Sequence, residues 1–222
     1  MKITSLQNSW IKETVQLRDR RSRDEKGTFL IEGYRELHRA VHAGWKIDVI
    51  FYCPEWFLGS NEYGLLSSAQ CRLQECSKEV FAKLSYRDRP DGILAVAPQV
   101  HKSLHDFSLS ANPFLLVAES IEKPGNLGTI LRSCDAAGVD GVFVCDRTTD
   151  IYNPNVVRSS VGTLFTVPII ETSSQEAIAF LRKNNVLIAA ATPRGDREYT
   201  QADFQIPLAI AMGTEQYGLS DL

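Results

Sequence analysis

The chain has 222 residues, 44% of them hydrophobic and 23% charged, with a formal net charge of −3. This is ordinary globular composition, long enough for one large domain or two of about 100 residues each. The polar opening Met1–Trp10 lacks the apolar stretch of a signal peptide, no run reaches the roughly 20 apolar residues of a spanning helix, and five cysteines without a CxxC pair fit neither a disulfide framework nor a zinc site, so the expected compartment is the cytoplasm.

In chain order, residues 8 to 21 carry Trp10, Ile11, Thr14, Val15 and Leu17 on roughly one helical face. Thr28–Ile31 follows as a short strand, and Glu32–Ala43 as a helix stopped by Gly44. Ile47–Tyr52 is a strand, Pro54 opens a helical stretch, Cys71–Cys76 alternates as a strand, Lys78–Leu84 is a short helix and Ile93–Ala97 a further strand. This alternation predicts an α/β sandwich over residues 1–98. Lys12, Arg18, Arg20, Arg21, Arg23 and Lys26 make a basic cluster near its start, diluted by Glu13, Asp19, Asp24 and Glu25. A solvated helix end and a nucleic-acid surface account for that cluster equally well.

Residues 99–113, rich in serine with two histidines and Pro113, predict a linker. After it, Phe114–Ala118 is a continuous apolar strand, followed by a helix from about Asn126 to Ala137 and strands at Gly141–Cys145, Val167–Ile170, Val186–Ala191 and Pro207–Met212, with another helix at Gln175–Lys183. Residues 114–222 therefore predict a parallel sheet with its ligand site at the strand carboxyl ends.

Three segments lie at those ends. In ESIEKPGNLGTILR (119–132), a loop and a helix amino terminus face an anion site; Asn126 suits the N-cap and Arg132 can grip a phosphate in a bidentate fork. It is neither a Walker loop nor a dinucleotide fingerprint. In MGTEQYGLS (212–220), Gly213 and Gly218 free the backbone and Glu215 places a carboxylate beside the strand end, a loop suited to wrapping an adenosine or ribose. In NPNVVRSSVGTLFTV (153–167), a turn leads into a short helix that places Arg158, Ser159 and Ser160 near the same sheet edge. The ordinary alternatives are a capped helix with a surface arginine, a turn with an exposed glutamate, and a plain connecting helix. The His38/His42 and His101/His105 pairs lack a third ligand, so no metal is expected, and Cys134 and Cys145 fit core positions better than nucleophiles.

Taken together and in this order, NLGTILR, VRSSVGTLFTVP and GTEQYGLS resemble the motifs of the SpoU (TrmH-like) family of RNA ribose 2′-O-methyltransferases, of the SPOUT superfamily. ITSLQNSWIK, the arginine-rich run and GTFLIEGYRELHRAV resemble the ribosomal-protein-L30-like substrate-binding domain that often precedes it. The resemblance implies an α/β fold with a trefoil knot near the carboxyl end, S-adenosyl-L-methionine as cofactor, RNA (ribosomal before transfer RNA) as partner and a homodimer. It places Arg132 as catalytic arginine, Asn126 as its structural or catalytic partner and Glu215 beside them. Gly213, Thr214 and Gly218 take the place of the cofactor loop, and Thr192 that of a pocket residue. Arg18, Arg20, Arg21, Arg23, Lys26 and Arg158 are the candidate RNA contacts. The family's third motif, Ser-Leu-Asn with a closing helix, has no counterpart after Asp221, so the knot is expected to be incomplete and cofactor binding weak in this form. The rival readings are a catalytically silent RNA-binding protein and a nucleotide-binding α/β enzyme of another class.

Overall fold

A computed structural model describes residues 1–193, 195 and 198–221. Helix α1 spans Ser9–Gln16, its first amides capped by the Asn8 side chain. A second helix, α2 (Arg20–Lys26), begins at the Asp19 cap and ends at Gly27, whose φ of 60° is left-handed. The single helical face expected over residues 8 to 21 is thus broken, because Asp19 turns its carboxylate to the Arg21 and Ser22 amides and starts a new helix. Then come β1 (Thr28–Glu32), α3 (Tyr34–His42), β2 (Val49–Tyr52), α4 (Asn61–Ser68), β3 (Arg72–Glu75), α5 (Lys78–Leu84) and β4 (Ile93–Pro98). The strands make a sheet in the order β1-β4-β2-β3, with β4 antiparallel to both neighbours and β2 parallel to β3. Ile11, Leu17, Phe51, Phe81 and Leu94 fill one core of this sheet.

The second half carries β5 (Phe114–Glu119), α6 (Pro124–Ala137), β6 (Gly141–Cys145), α7 (Pro154–Ser160), β7 (Ile169–Thr172), α8 (Ser174–Lys183), β8 (Leu187–Ala190) and β9 (Leu208–Met212). Its sheet runs β7-β6-β5-β9-β8, and every pair is parallel. The apolar strands β5 and β6 occupy its centre, as uninterrupted runs of buried residues require when helices cover both faces. Leu115, Phe143, Ile170, Leu181 and Ala209 belong to its core.

The chain forms two units, but not by a single cut: Met1–Gln99 folds with Ile151–Thr166, and Val100–Asp150 folds with Val167–Leu222. Tyr152 stacks on Phe29 of β1 at 4.3 Å between ring centroids, and Phe165 meets Trp45 edge-on at 5.1 Å while its carbonyl accepts from the indole N–H. These aromatic contacts group the segment from 151 to 166 with the first unit. The stretch 99–113 is not a free tether. Leu104, Phe107 and Leu109 pack on the second unit's core, Phe107 lies edge-on to Phe143, and the Glu171 amide donates to the Lys102 carbonyl. Gly141 makes room for this arm, since a Cβ there would lie 2.8 Å from the Phe107 ring.

Candidate active site

In the second unit the chain runs outward from β5 to β6 and β7, then returns to the far edge at β8 and comes back as β9 beside β5. The order reverses at β5 and β9, the place where an open parallel sheet leaves a crevice beyond its carboxyl ends. A cavity of about 580 Å³ lies there, among Glu119, Ser174, Ala190, Thr192, Met212 and the loop Gly213–Ser220.

That loop is closed on itself. Thr214 and Gly218 exchange backbone hydrogen bonds of 2.8 and 3.1 Å, and Gly218 takes a φ of 76° to do so. Gly213 has a different constraint: a Cβ would fall 2.0 Å from the Gly218 carbonyl oxygen, so only glycine lets the two backbones approach. Glu119, at the end of β5, ties the loop down. Its Oε1 accepts from the Ser174 and Ser220 hydroxyls at 2.9 and 2.6 Å, and its Oε2 from the Ser220 amide at 2.8 Å. Burial pushes the Glu119 carboxyl up, but the hydrogen bonds from Ser220 and Ser174 together outweigh it and hold the group below the usual range. Thr192 follows β8, is exposed, and lines the same cavity.

Helix α6 begins two residues earlier than expected, with Lys123 as N-cap and Pro124 at the first helical position. Asn126 is therefore not the cap but a first-turn residue, because proline preorganises the turn ahead of it. It faces a second cavity of about 310 Å³ that α6 shares with Met212–Glu215, so those four residues line both cavities. Lys123 pairs with Glu215 across it and, with a smaller contribution from Asn126, holds the Glu215 carboxyl below its ordinary value. The predicted Asn126 and Glu215 thus meet. Arg132 lies farther along α6, exposed, with no hydrogen bond or ion pair from its guanidinium to another described residue.

The basic run at the chain start is largely committed elsewhere. Arg23 is 1% exposed and donates to the Leu17 and Arg18 carbonyls at the end of α1. Arg18 donates to the Lys83, Leu84 and Ser85 carbonyls that close α5. Both satisfy helix-end carbonyls, Arg23 from a buried position and Arg18 through Nη2 from an exposed one. Arg20 and Arg21 pair with Asp24 and Glu25 one turn away, and Lys26 reaches the Glu13 carbonyl, yet Arg21 stays exposed. Arg158 sits on α7, which groups with the first unit.

Glu119, Ser174, Ser220 and Lys123 were missed by the sequence reading. A lone carboxylate ending an otherwise apolar strand was the available signal for the first of them. Burial pushes the Cys134 and Cys145 thiols up to about 11 and about 12, as suits core residues rather than nucleophiles. Among the described residues no group of three or more His, Cys, Asp or Glu is placed to hold a metal, and no helix is long and apolar enough to cross a membrane.

A doubly covered parallel sheet with glycine-bracketed loops at its switch point and an arginine-bearing helix beside them defines a class of nucleotide-type cofactor enzymes. Comparison with known proteins narrows it. Residues 113–222 match the SpoU rRNA Methylase family, and residues 8–95 match the MRM3-like substrate binding domain. The chain is 27% identical over 98% of its length to the 23S rRNA (guanosine(2553)-2'-O)-methyltransferase of Bacillus subtilis, covering 84% of that protein. It superposes on the crystal structure of an RNA 2'-O ribose methyltransferase with a TM-score of 0.87 and 37% identity, covering 99% of this chain and 84% of the other. An AdoMet-bound rRNA methyltransferase from Sinorhizobium meliloti gives a TM-score of 0.88 at 28% identity, over 99% of this chain and 83% of the other. The chain belongs to the SpoU rRNA methylase family.

Proposed function

We propose that this protein methylates a ribose 2′-hydroxyl of ribosomal RNA, most specifically 23S RNA, using S-adenosyl-L-methionine. The observation that carries the reading is the pair of cavities separated by Met212–Glu215, one at the strand ends and one against the first turn of α6. The larger has the size of a ligand site and is closed by a backbone approach that only Gly213 permits. Thr192, Gly213, Thr214 and Gly218 would hold the cofactor there, and when bound it supplies an electrophilic methyl group on a sulfonium.

Methylation of the ribose oxygen would leave the donor as the neutral thioether and the hydroxyl proton to bulk water, so this chain's residues act by holding and orienting the acceptor. A guanidinium has five N–H donors and no acceptor, so the role of Arg132 is to orient the target phosphate and stabilise the developing alkoxide. Lys123, Asn126 and Glu215 tie the α6 start to the cofactor loop and so fix the distance between the two halves of the site. Residues 8–95, with Arg158 on α7, recognise the RNA. The same reading makes the working form a cytoplasmic homodimer whose carboxyl-terminal segment enters a trefoil knot.

The test is transfer of tritium from labelled S-adenosylmethionine to unmodified ribosomal RNA, with nuclease digestion to locate the label. Label on a 2′-O-methylated nucleotide, lost in Arg132→Ala while cofactor binding persists, is the expected result. Label in transfer RNA alone would move the substrate. RNA binding with neither cofactor binding nor label would favour a silent RNA-binding protein.

A further inference from the structure

A cavity of about 500 Å³ opens in the first unit, lined from α3, α4, the loop before β4 and α7. The charged side chains of its lining are sorted by sign according to burial. The three acids, Glu36, Glu62 and Asp91, are 5%, 4% and 9% exposed. Arg87 is half-buried, and Arg35, Arg89 and Arg158 are exposed. The acids are also engaged. Glu36 accepts from Arg87 Nη2 at 2.8 Å, and Glu62 accepts from the Leu58 amide at 3.1 Å. Asp91 accepts from the Tyr34 amide at 2.8 Å and lies 3.8 Å from Arg87 Nη1. The three exposed arginines therefore have no ion pair to another described residue. Arg35 even stands in the first turn of α3, where a cation opposes the helix dipole, so the helix itself gives no reason for it.

What a ligand meets on entering is thus a set of open guanidinium groups. Their planar forks match phosphate oxygens bidentately, and several around one hollow can neutralise successive phosphates of a chain. The rest of the accessible lining is uncharged. Leu58 is 83% exposed, and the half-buried Tyr34 adds an aromatic ring. A duplex turns its phosphates outward and keeps its bases inside, so it would leave this apolar wall unused. A nucleotide whose base has left its stack uses both parts, phosphates on the arginines and base on the apolar wall. The volume lies in the range of sites that enclose small ligands.

We propose that this cavity is a docking pocket for unpaired RNA: it takes one nucleotide out of its stack, with the base against Leu58 and Tyr34, and with Arg35, Arg89 and Arg158 on its own and the flanking phosphates. The assignment rests on RNA being the substrate, which favours a nucleic acid over an acidic peptide. It deepens that reading by naming the form of RNA that the first unit takes, single strand before duplex.

The experiment follows binding of fluorescein-labelled decauridylate by the full chain as salt is raised. The triple variant Arg35→Ala, Arg89→Ala, Arg158→Ala changes only exposed positions, so it is expected to keep the wild-type melting temperature. Its logarithmic salt slope is expected to fall by about 2, at about 0.7 for each single-strand phosphate contact. The control is Arg20→Ala with Arg21→Ala, which removes arginines already paired with Asp24 and Glu25 and is expected to keep the slope. For the base, an abasic ribose-phosphate decamer of the same charge is expected to bind about tenfold more weakly than decauridylate, and Leu58→Ser to close most of that gap. An unchanged slope in the folded triple variant, an equal loss in the control, or an abasic chain that binds as tightly as decauridylate overturns the proposal. So does decaglutamate that displaces decauridylate at equal concentration, which would assign the pocket to an acidic protein. Titration of S-adenosylmethionine into the same samples separates the two readings. Cofactor binding with an unchanged slope in the triple variant removes the pocket and leaves methyl transfer standing; the expected slope loss without cofactor binding does the reverse.

Discussion

Two groups of arginines in the first unit are put to opposite uses. Arg18 and Arg23 are close together in the sequence and both give hydrogen bonds to helix-end carbonyls, Arg23 from a buried position, while Arg20 and Arg21 between them make exposed pairs with neighbouring carboxylates. Arg35, Arg89 and Arg158 are scattered over more than a hundred positions, and the fold gathers them around one cavity without an ion pair to another described residue. A local density of positive charge in a sequence measures how many cations there are. It does not measure how many remain to release counterions from a phosphate chain. The carboxylates divide too: Glu119 has both oxygens hydrogen-bonded, whereas Glu62 and Asp91 each bury one oxygen with no hydrogen-bond partner among the described residues.

This contrast predicts that removing an unpartnered group costs function and removing a saturated one costs stability. The largest effect is expected at Arg132 of α6, which has no ion pair to another described residue: Arg132→Ala should slow methyl transfer by about 10²–10³-fold, the usual loss for one donor to a developing oxyanion, with an unchanged melting temperature. An equal loss of stability would mean that Arg132 belongs with the saturated group. Next, Arg23→Ala should lower unfolding free energy by about 1.5–3 kcal/mol in urea titrations, because it strips charged hydrogen bonds from buried carbonyls. Its RNA affinity at low denaturant should match wild type.

Glu119 gives the acidic counterpart. Its folded pKa lies below the unfolded value, so the stabilisation it brings is complete above about pH 4.3 and disappears as the pH falls through the folded pKa. Thermal melts from pH 6 downward should show a steeper fall for wild type than for Glu119→Gln; parallel curves would remove Glu119 as the anchor of the cofactor loop. Smaller again, Arg158→Ala should reduce the salt dependence of single-stranded RNA binding by about 0.7 in logarithmic slope, one phosphate's worth. The smallest effect belongs to Arg21→Ala, whose exposed ion pair with Glu25 should contribute nothing measurable to the melting temperature.

The strand and helix order of both units was legible in the residues, since apolar runs such as Phe114–Ala118 and stops such as Gly138 act locally. So were the two loops at the strand ends, because a glycine pair around a short polar loop signals close backbone approach. Less legible was anything decided by distant partners. Pro124 moved the helix start away from Asn126, a local cue that the N-cap preference of asparagine concealed. The allegiance of α7 depends on Tyr152 and Phe165 meeting Phe29 and Trp45, more than a hundred positions away, and no periodicity within 151–166 encodes that. Glu119 looks like the polar end of a strand until Ser174 and Ser220 close on it. A cavity beside Glu62 is built from α3, α4, α7 and the loop before β4, which lie far apart in the sequence.

The path of the chain between the units sets an order of events during synthesis. Phe29 and Trp45 leave the ribosome more than a hundred residues before the rings that cover them, so the amino-terminal sheet has to wait, partly uncovered, while β5, α6 and β6 emerge. A fragment ending at residue 98 would keep every strand of its sheet and still expose that aromatic face, which makes it a poor choice for separate expression and a ready target for chaperones. Supplying residues 151–166 as a peptide in trans would restore the missing layer, so the first unit's completion depends on a segment made after the first strands of the second.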